Sequence, residues 1–138
     1  LFLCLSSSAI ARPAPGSVQV VVVMKMATCT VCAGQLVQLA GADLGVPVVG
    51  ITHDSQQLAV RVTAATGVAT FSHPEGIVSM GLWLADQGIA QPAVVVYDRC
   101  GGEAGRVVGR APGVDVTSDV RALVAVGAKA VCDQRPAS

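Results

Sequence analysis

The chain has 138 residues, which suits one domain and is too short for two domains with sizeable cores. Charged residues make up 13% of the chain and hydrophobic residues 52%, so a disordered tail is excluded. Nine basic side chains balance nine acidic ones, and no net field exists to attract a nucleic-acid backbone or an anionic membrane. We therefore expect a globular domain with no nucleic-acid partner.

The first residues resemble the end of a secretory signal peptide. Residues 1–5 are apolar, three serines follow, and Ala9-Ile10-Ala11 fits an A-x-A cleavage site. An apolar N-terminal strand is the alternative interpretation. Cleavage would remove Cys4, one of five cysteines, and the remaining even number suits a periplasmic or secreted location, where disulfides persist.

The chain is predicted to contain one domain, which lies between an N-terminal leader and a short C-terminal tail. Residues 1–16 are the truncated signal peptide and Pro-rich leader, residues 17–131 are the domain, and residues 132–138 are a C-terminal tail. No stretch after the leader is long and apolar enough to span a membrane. We therefore expect no membrane partner once the signal has been cleaved.

The apolar pattern predicts strands that alternate with helices. The predicted strands are Val18–Met24, Val46–Thr52, Val68–Phe71, Ala93–Tyr97 and Arg106–Arg110. Four helices are predicted, and they end at Gly41, Gly67, Gly88 and Gly127. Asp54 or Ser55 caps the start of the second helix, Ile77 lies near the start of the third, and the fourth begins near Thr117 to Asp119. This order predicts an α/β fold, in which parallel strands and a C-terminal antiparallel hairpin form a mixed sheet with helices on both faces.

Cys29 and Cys32 lie where the first predicted strand leads into the first helix. Residues i and i+3 share a helix face, so the two sulfur atoms can reach disulfide distance. The positive end of the helix dipole favours a thiolate, which is the attacking species in thiol–disulfide exchange. The spacing therefore predicts a redox-active pair.

Two other interpretations of this C-x-x-C motif are half of a zinc site and an inert disulfide. The remaining histidines and cysteines are scattered, so the second half of a zinc site is missing. An inert disulfide would close only a short loop and contribute little stability. We expect no metal and no cofactor.

Three further motifs accompany the cysteine pair: Gly88-Ile89-Ala90-Gln91-Pro92 before a strand, Asp98-Arg99-Cys100-Gly101 as a hairpin turn, and a β-β-α ending. With them, the chain resembles the thioredoxin-like superfamily over about residues 17–128. Within it, the chain is similar to the secreted redoxin branch, which includes thiol-disulfide oxidoreductases and peroxiredoxin-like proteins.

The resemblance implies a role for each site residue. Cys29 would be the nucleophile and Cys32 the resolving cysteine. Pro92 would be cis beside the cysteine pair, and Thr28 and the Gln91 backbone would contact the substrate. An ordinary edge-strand proline is the alternative for Pro92. The implied partners are a disulfide-containing protein or small-thiol substrate, and a redox partner that supplies or accepts electrons.

The chain departs from the family at several positions. Val23 stands where thioredoxin has a buried acid, so proton removal from Cys32 would depend on water or the substrate. In a peroxiredoxin-like alternative, Cys32 attacks peroxide and Cys29 resolves the sulfenic acid, but Lys25 occupies the position of the family's proline. A third interpretation is a non-catalytic module that binds thiols or Cu(I).

The implied topology also bears on the last two cysteines. It places the turn around Cys100 and the end of the last helix, near Cys132, at the end of the sheet opposite the redox pair. We therefore predict a structural disulfide between them that ties down the C-terminus. Two free thiols are the alternative.

Overall fold

The structure is a computed structural model that describes residues 16–24, 33–52, 54–72, 93–108 and 114–132. The strands in these ranges are β1 (Gln19–Met24), β2 (Val48–Thr52), β3 (Thr70–Ser72), β4 (Ala93–Tyr97) and β5 (Glu103–Val107). The helices are α1 (Ala33–Ala40), α2 (Gln56–Thr66) and α3 (Thr117–Ala128). The helix predicted between Ile77 and Gly88 lies outside the described residues.

The five strands form one mixed sheet in the order β3-β2-β1-β4-β5. The strands β1, β2 and β3 run parallel, whereas β4 is antiparallel to β1 and β5 is antiparallel to β4. Every residue of β1 after Gln19 is buried, which explains its uninterrupted apolar sequence, because a central strand has apolar neighbours on both faces. The prediction of a mixed α/β sheet is confirmed.

The described helices pack against one face of this sheet. Val20 and Val22 of β1 share a core with Leu36 of α1, Val62 of α2 and Val120 of α3. The opposite face has a second apolar cluster, which consists of Val21, Val23, Ile51, Ala93, Val95 and Tyr97. No described helix contributes to that second cluster, so the predicted helical cover of both faces is seen on one face and stays a prediction for the other.

The ends of α2 match the capping signals in the sequence. Ser55 is the N-cap, and its side-chain oxygen accepts a hydrogen bond from the Leu58 backbone N–H at 3.2 Å. Gly67 closes the helix with φ of 74°, a left-handed conformation that glycine adopts without steric cost. Its N–H donates to the Thr63 carbonyl oxygen at 2.9 Å.

The structure corrects the first residues of four strands. Strand β1 begins at Gln19 rather than at Val18, and β2 begins at Val48 rather than at Val46. Strand β3 begins at Thr70 rather than at Val68, because the Val68 N–H bonds to the Thr66 hydroxyl oxygen at 3.1 Å and is still part of the turn. Strand β5 begins at Glu103 rather than at Arg106. The Asp98 carboxylate explains this early start, because it closes the preceding turn within a few residues by accepting backbone N–H bonds.

Candidate functional site

The described residues on either side of the cysteine pair belong to β1 and α1. Strand β1 ends at Met24, and α1 begins at Ala33, the residue after Cys32. Cys29, Cys32 and the predicted substrate residue Thr28 lie outside the described residues, so their roles stay predictions. Met24 pairs with Thr52 across the sheet, which places the end of β1 beside the end of β2.

Strand β4, which follows the second predicted motif in the chain, starts at the same edge. Ala93, the first residue of β4, pairs with Val23, because β4 runs antiparallel to β1. Pro92 is the residue before Ala93 in the chain, and both Pro92 and Gln91 lie outside the described residues, as does the predicted cis bond. The structure therefore brings together the described neighbours of both motifs. We call this edge of the sheet the redox edge.

Close packing of α1 over β1 and β2 depends on Gly50 in β2. A Cβ atom at Gly50 would lie 3.0 Å from Leu36 Cδ2, 3.0 Å from Met24 Cε and 2.8 Å from Thr70 Oγ1. These distances leave no space for a larger residue. The helix that follows Cys32 is thus seated directly on the two strands that end at the redox edge.

A side-chain amide bridge connects α1 to the segment that leads into α3. Gln35 is 2% exposed, and its Nε2 donates to Gln38 Oε1 at 2.8 Å and to the Val114 carbonyl oxygen at 3.5 Å. Gln38 Oε1 also accepts the Val116 backbone N–H at 3.3 Å. Because buried polar groups need partners, this bridge fixes α1 against residues far away in the chain.

Sequence reasoning missed this amide bridge. The available signal was a polar residue on the apolar face of a helix, because Gln35 precedes Leu39 by one turn.

A second polar group lies where β2 and β3 end. Thr52 is fully buried, and its hydroxyl donates a hydrogen bond to Asp54 Oδ2. The Ser72 hydroxyl donates to the Asp54 backbone carbonyl oxygen. Asp54 is half-buried, so its carboxylate is held at the redox edge and still reaches solvent. Sequence reasoning considered Asp54 only as a helix cap.

The opposite end of the sheet contains the other two cysteines. Cys100 and Cys132 form a disulfide with a Cα–Cα distance of 5.3 Å, the pairing that the sequence analysis expected. Backbone hydrogen bonds support the same region, since the Arg99 N–H donates to the Gly127 carbonyl oxygen at 3.3 Å. The Gly16 N–H donates to the Arg99 carbonyl oxygen at 2.6 Å. We call this end of the sheet the disulfide pole.

Two exposed carboxylates take part in hydrogen bonds near β5 and α3. Arg106 on β5 makes two hydrogen bonds of 2.6 Å to Glu103, and this contact raises the pKa of the guanidinium. Before α3, hydrogen bonds from the Thr117 side chain and backbone N–H lower the pKa of Asp115.

Neither a metal site nor a membrane span is found among the residues described. No three His, Cys, Asp or Glu side chains in the described ranges are grouped so that they could hold a metal ion. None of the helices α1 to α3 has the length and apolar character that a membrane crossing requires.

Solved structures with the same arrangement of strands and helices are known. A putative thiol:disulfide interchange protein DsbE from Chlorobium tepidum superposes with a TM-score of 0.56 at 20% identity, over 81% of this chain and 82% of that chain. A secreted Mycobacterium tuberculosis disulfide oxidoreductase homologous to E. coli DsbE gives 0.53 at 20% identity, over 80% and 82%. The chain has the thioredoxin-like fold.

A peroxiredoxin-like protein from Aquifex aeolicus shares this thioredoxin-like fold, with a TM-score of 0.51 at 18% identity over 80% of this chain and 74% of that chain. At such identities the similarity establishes the fold alone. No family model and no curated protein sequence matches the chain.

Proposed function

We propose that the protein is a thiol-disulfide oxidoreductase, with Cys29 as the nucleophile and Cys32 as the resolving cysteine. One observation carries this proposal. Strand β1, which ends at Met24 before the C-x-x-C motif, lies beside the start of β4 at Ala93, which follows the Gln-Pro motif, at the redox edge of a thioredoxin-like sheet. In open α/β sheets, ligands bind outside the carboxyl ends of the parallel strands.

The proposed reaction has two exchange steps. The Cys29 thiolate attacks one sulfur of a substrate disulfide, which forms a mixed disulfide and releases the first substrate thiolate. The Cys32 thiolate then attacks the Cys29 sulfur, so the second substrate thiol leaves and a Cys29–Cys32 disulfide remains. Two electrons pass to the substrate, and a redox partner must return them. Because α1 begins directly after Cys32, its free N–H groups favour the thiolate that the first step needs.

The proposed substrate contacts come from Thr28, Gln91 and Pro92. An extended substrate segment would pair with the Gln91 backbone, and Pro92 has no backbone N–H that could compete for the same acceptors. This arrangement recognises main-chain atoms beside a disulfide and suits protein substrates as well as small disulfides.

The proposed location is outside the cytoplasm, in the periplasm or in the secreted fraction. The Cys100–Cys132 disulfide supports this location, because such bonds persist in oxidising compartments and are rare in the cytosol. The signal-like first residues point to the same location.

Trapping with single cysteine variants tests the function. Cys32→Ser should accumulate a mixed disulfide with a disulfide-bonded protein substrate, because the resolving thiol is absent. Cys29→Ser, the matched variant, should trap none, because the nucleophile is absent. Non-reducing electrophoresis and mass spectrometry detect the adduct. A mixed disulfide that forms equally with both variants, or with neither, would contradict the assignment.

The same variants test the other two interpretations. Turnover of hydrogen peroxide that only Cys32→Ser abolishes would replace the oxidoreductase with a peroxidase in which Cys29 resolves the sulfenic acid. If neither activity is found and the two thiols bind Cu(I), the protein is a non-catalytic binding module.

A further inference from the structure

Among the described residues, strand β5 has a neighbouring strand on one side only. The described sheet ends with β4 and β5, so the outer side of β5 has no strand from this part of the chain. Such an edge presents backbone N–H and C=O groups to which a further extended segment can bind. The other edge strand, β3, has three residues, whereas β5 has five. The outer side of β5 is therefore the longer of the two edges that another chain could extend.

A bulge places the two charged residues of β5 on the same face of the sheet. The pairing with β4 is irregular between Val96 and Tyr97, where β5 has one extra residue, Ala104. Residues three apart on a regular strand point to opposite faces. Here Glu103 and Arg106 make two hydrogen bonds of 2.6 Å to each other. The bulge thus brings two opposite charges side by side along the edge strand.

The two residues between these charges are small and face α3. Ala104 and Leu123 of α3 both pack against the core on the helical face of the sheet. A Cβ atom at Gly105 would lie 2.6 Å from Leu123 Cδ2. Helix α3 contacts both β4 and β5, so it lies above the space between these two strands. The middle of the edge therefore has no bulky side chain of its own.

We propose that β5 is a contact surface between two copies of this chain, whose β5 strands pair antiparallel about a two-fold axis between Ala104 and Gly105. In this register, Glu103 of each copy lies opposite Arg106 of the other copy. Opposite residues of an antiparallel pair share a face, and the bulge gives Glu103 and Arg106 the shared face that this register needs. The inference is independent of the proposed redox function.

The charges of β5 favour a second copy as the partner. A strand whose charges all had one sign would repel its own copy, whereas β5 has one charge of each sign in positions that the two-fold axis exchanges. The side chains of Arg106 and Glu103 are 36% and 33% exposed, so both can reach a neighbouring chain. A guanidinium has five N–H donors, so Arg106 can bind its own Glu103 and that of the other copy together.

The helical face also permits this contact. Neighbouring strands are about 4.8 Å apart, so two α3 helices above their own β4–β5 spaces would be separated by about two strand spacings. This separation is roughly 10 Å, a distance at which helices pack. A groove of about 370 Å³ lies between α3 and β5, and its lining includes Asp119, Ala122 and Leu123. The exposed Ala122 is small and leaves room for the second helix.

The test uses two charge-reversed variants, Glu103→Arg and Arg106→Glu, and an equimolar mixture of them. Each variant alone places like charges opposite each other across the axis, so its dissociation constant should exceed that of the wild type about tenfold or more. In the mixture, opposite charges face each other again, and the dissociation constant should return to within about threefold of the wild-type value. Analytical ultracentrifugation over a concentration series up to about 1 mM measures the association.

The mixture separates a contact between chains from an effect within one chain. The Glu103–Arg106 pair of each chain stays broken in both variants, so its loss cannot explain a recovery on mixing. Arg61→Glu is the matched control, because it makes the same change of charge on the exposed surface of α2, which packs beside β3 at the other edge of the sheet. It should associate as the wild type does.

Three results would each overturn the inference: a wild type that stays monomeric at about 1 mM, a mixture that does not recover, or an Arg61→Glu variant that is weakened as much as Arg106→Glu. A monomeric wild type would leave the outer side of β5 to a different chain or to no partner. If a charge-reversed variant does not fold, Ala122→Arg on α3 replaces it, and an unchanged dissociation constant then overturns the inference. The cysteine-trapping experiment decides the proposed function separately.

Discussion

At the disulfide pole, a covalent bond connects two segments that are far apart in the chain, whereas the described residues at the redox edge are connected by strand pairing and by side-chain hydrogen bonds. The Cys100–Cys132 disulfide connects the β4–β5 turn to the segment that follows α3. In the helix that follows the proposed redox pair, Gln35 and Gln38 connect α1 to the segment before α3 through side-chain hydrogen bonds. The comparison teaches that the structural disulfide lies at the end of the sheet opposite the redox edge, which is where we propose that the reactive cysteine pair acts.

Spacing along the chain explains how the two cysteine pairs could have the different roles that we propose for them. The Cys100–Cys132 bond closes a loop with a sequence separation of 32 residues, so it restricts the unfolded chain strongly. The Cys29–Cys32 pair would close a short loop that restricts it little. A bond of small stabilising effect can open and close during catalysis without unfolding the domain.

The largest expected effect comes from removing the Cys100–Cys132 disulfide at the disulfide pole. Replacing Cys100 and Cys132 together by serine should lower the free energy of unfolding by about 3 to 4 kcal/mol, because the unfolded chain regains the loop entropy. Urea unfolding measures the change. The Cys29→Ser/Cys32→Ser double variant is the control, and its free energy of unfolding should fall much less. Equal decreases in the two double variants would contradict the idea that only the Cys100–Cys132 pair stabilises the fold strongly.

A smaller effect is expected where α1 sits on the sheet near the redox edge. Gly50→Ala should lower the free energy of unfolding by about 1 to 3 kcal/mol, since the new Cβ lies 2.8 Å from Thr70 Oγ1 and must displace its neighbours. Thermal and urea unfolding measure it.

Gly34→Ala in α1 is the matched control for Gly50→Ala. Its Cβ would meet nothing within 4 Å, and alanine favours the helix, so a small stabilisation is expected. Destabilisation of similar size in both variants would show that close packing at Gly50 is not the cause.

The smallest of the three effects concerns the amide bridge. Gln35→Met keeps the size of the side chain and removes both hydrogen bonds, so the free energy of unfolding should fall by about 1 kcal/mol. The control is Gln57→Met on the exposed surface of α2, which should change it by less than about 0.5 kcal/mol. Equal effects at the two positions would mean that the bridge does not fasten α1.

Much of the fold followed from local patterns in the sequence. A run of valines predicted the central strand, Asp54 or Ser55 was predicted to cap α2, and Gly67 predicted its end; the structure has Ser55 as the cap. The bounds of β5 could not be predicted in this way. They depend on how the Asp98 side chain folds back on the N–H groups of Cys100 and Gly102, at 2.8 and 3.0 Å.

The candidate site also has features that local sequence predicts and features that depend on tertiary contacts. The sequence by itself predicted the redox chemistry that we propose, because the spacing of Cys29 and Cys32 and the residues before β4 are local features. Only the tertiary structure decided that Thr52 and Ser72 hold Asp54 and that Gln35 reaches Val114. Residue spacing encodes which side chains share a face of one element, but contacts between elements depend on sheet order and helix packing, which bring distant parts of the chain together.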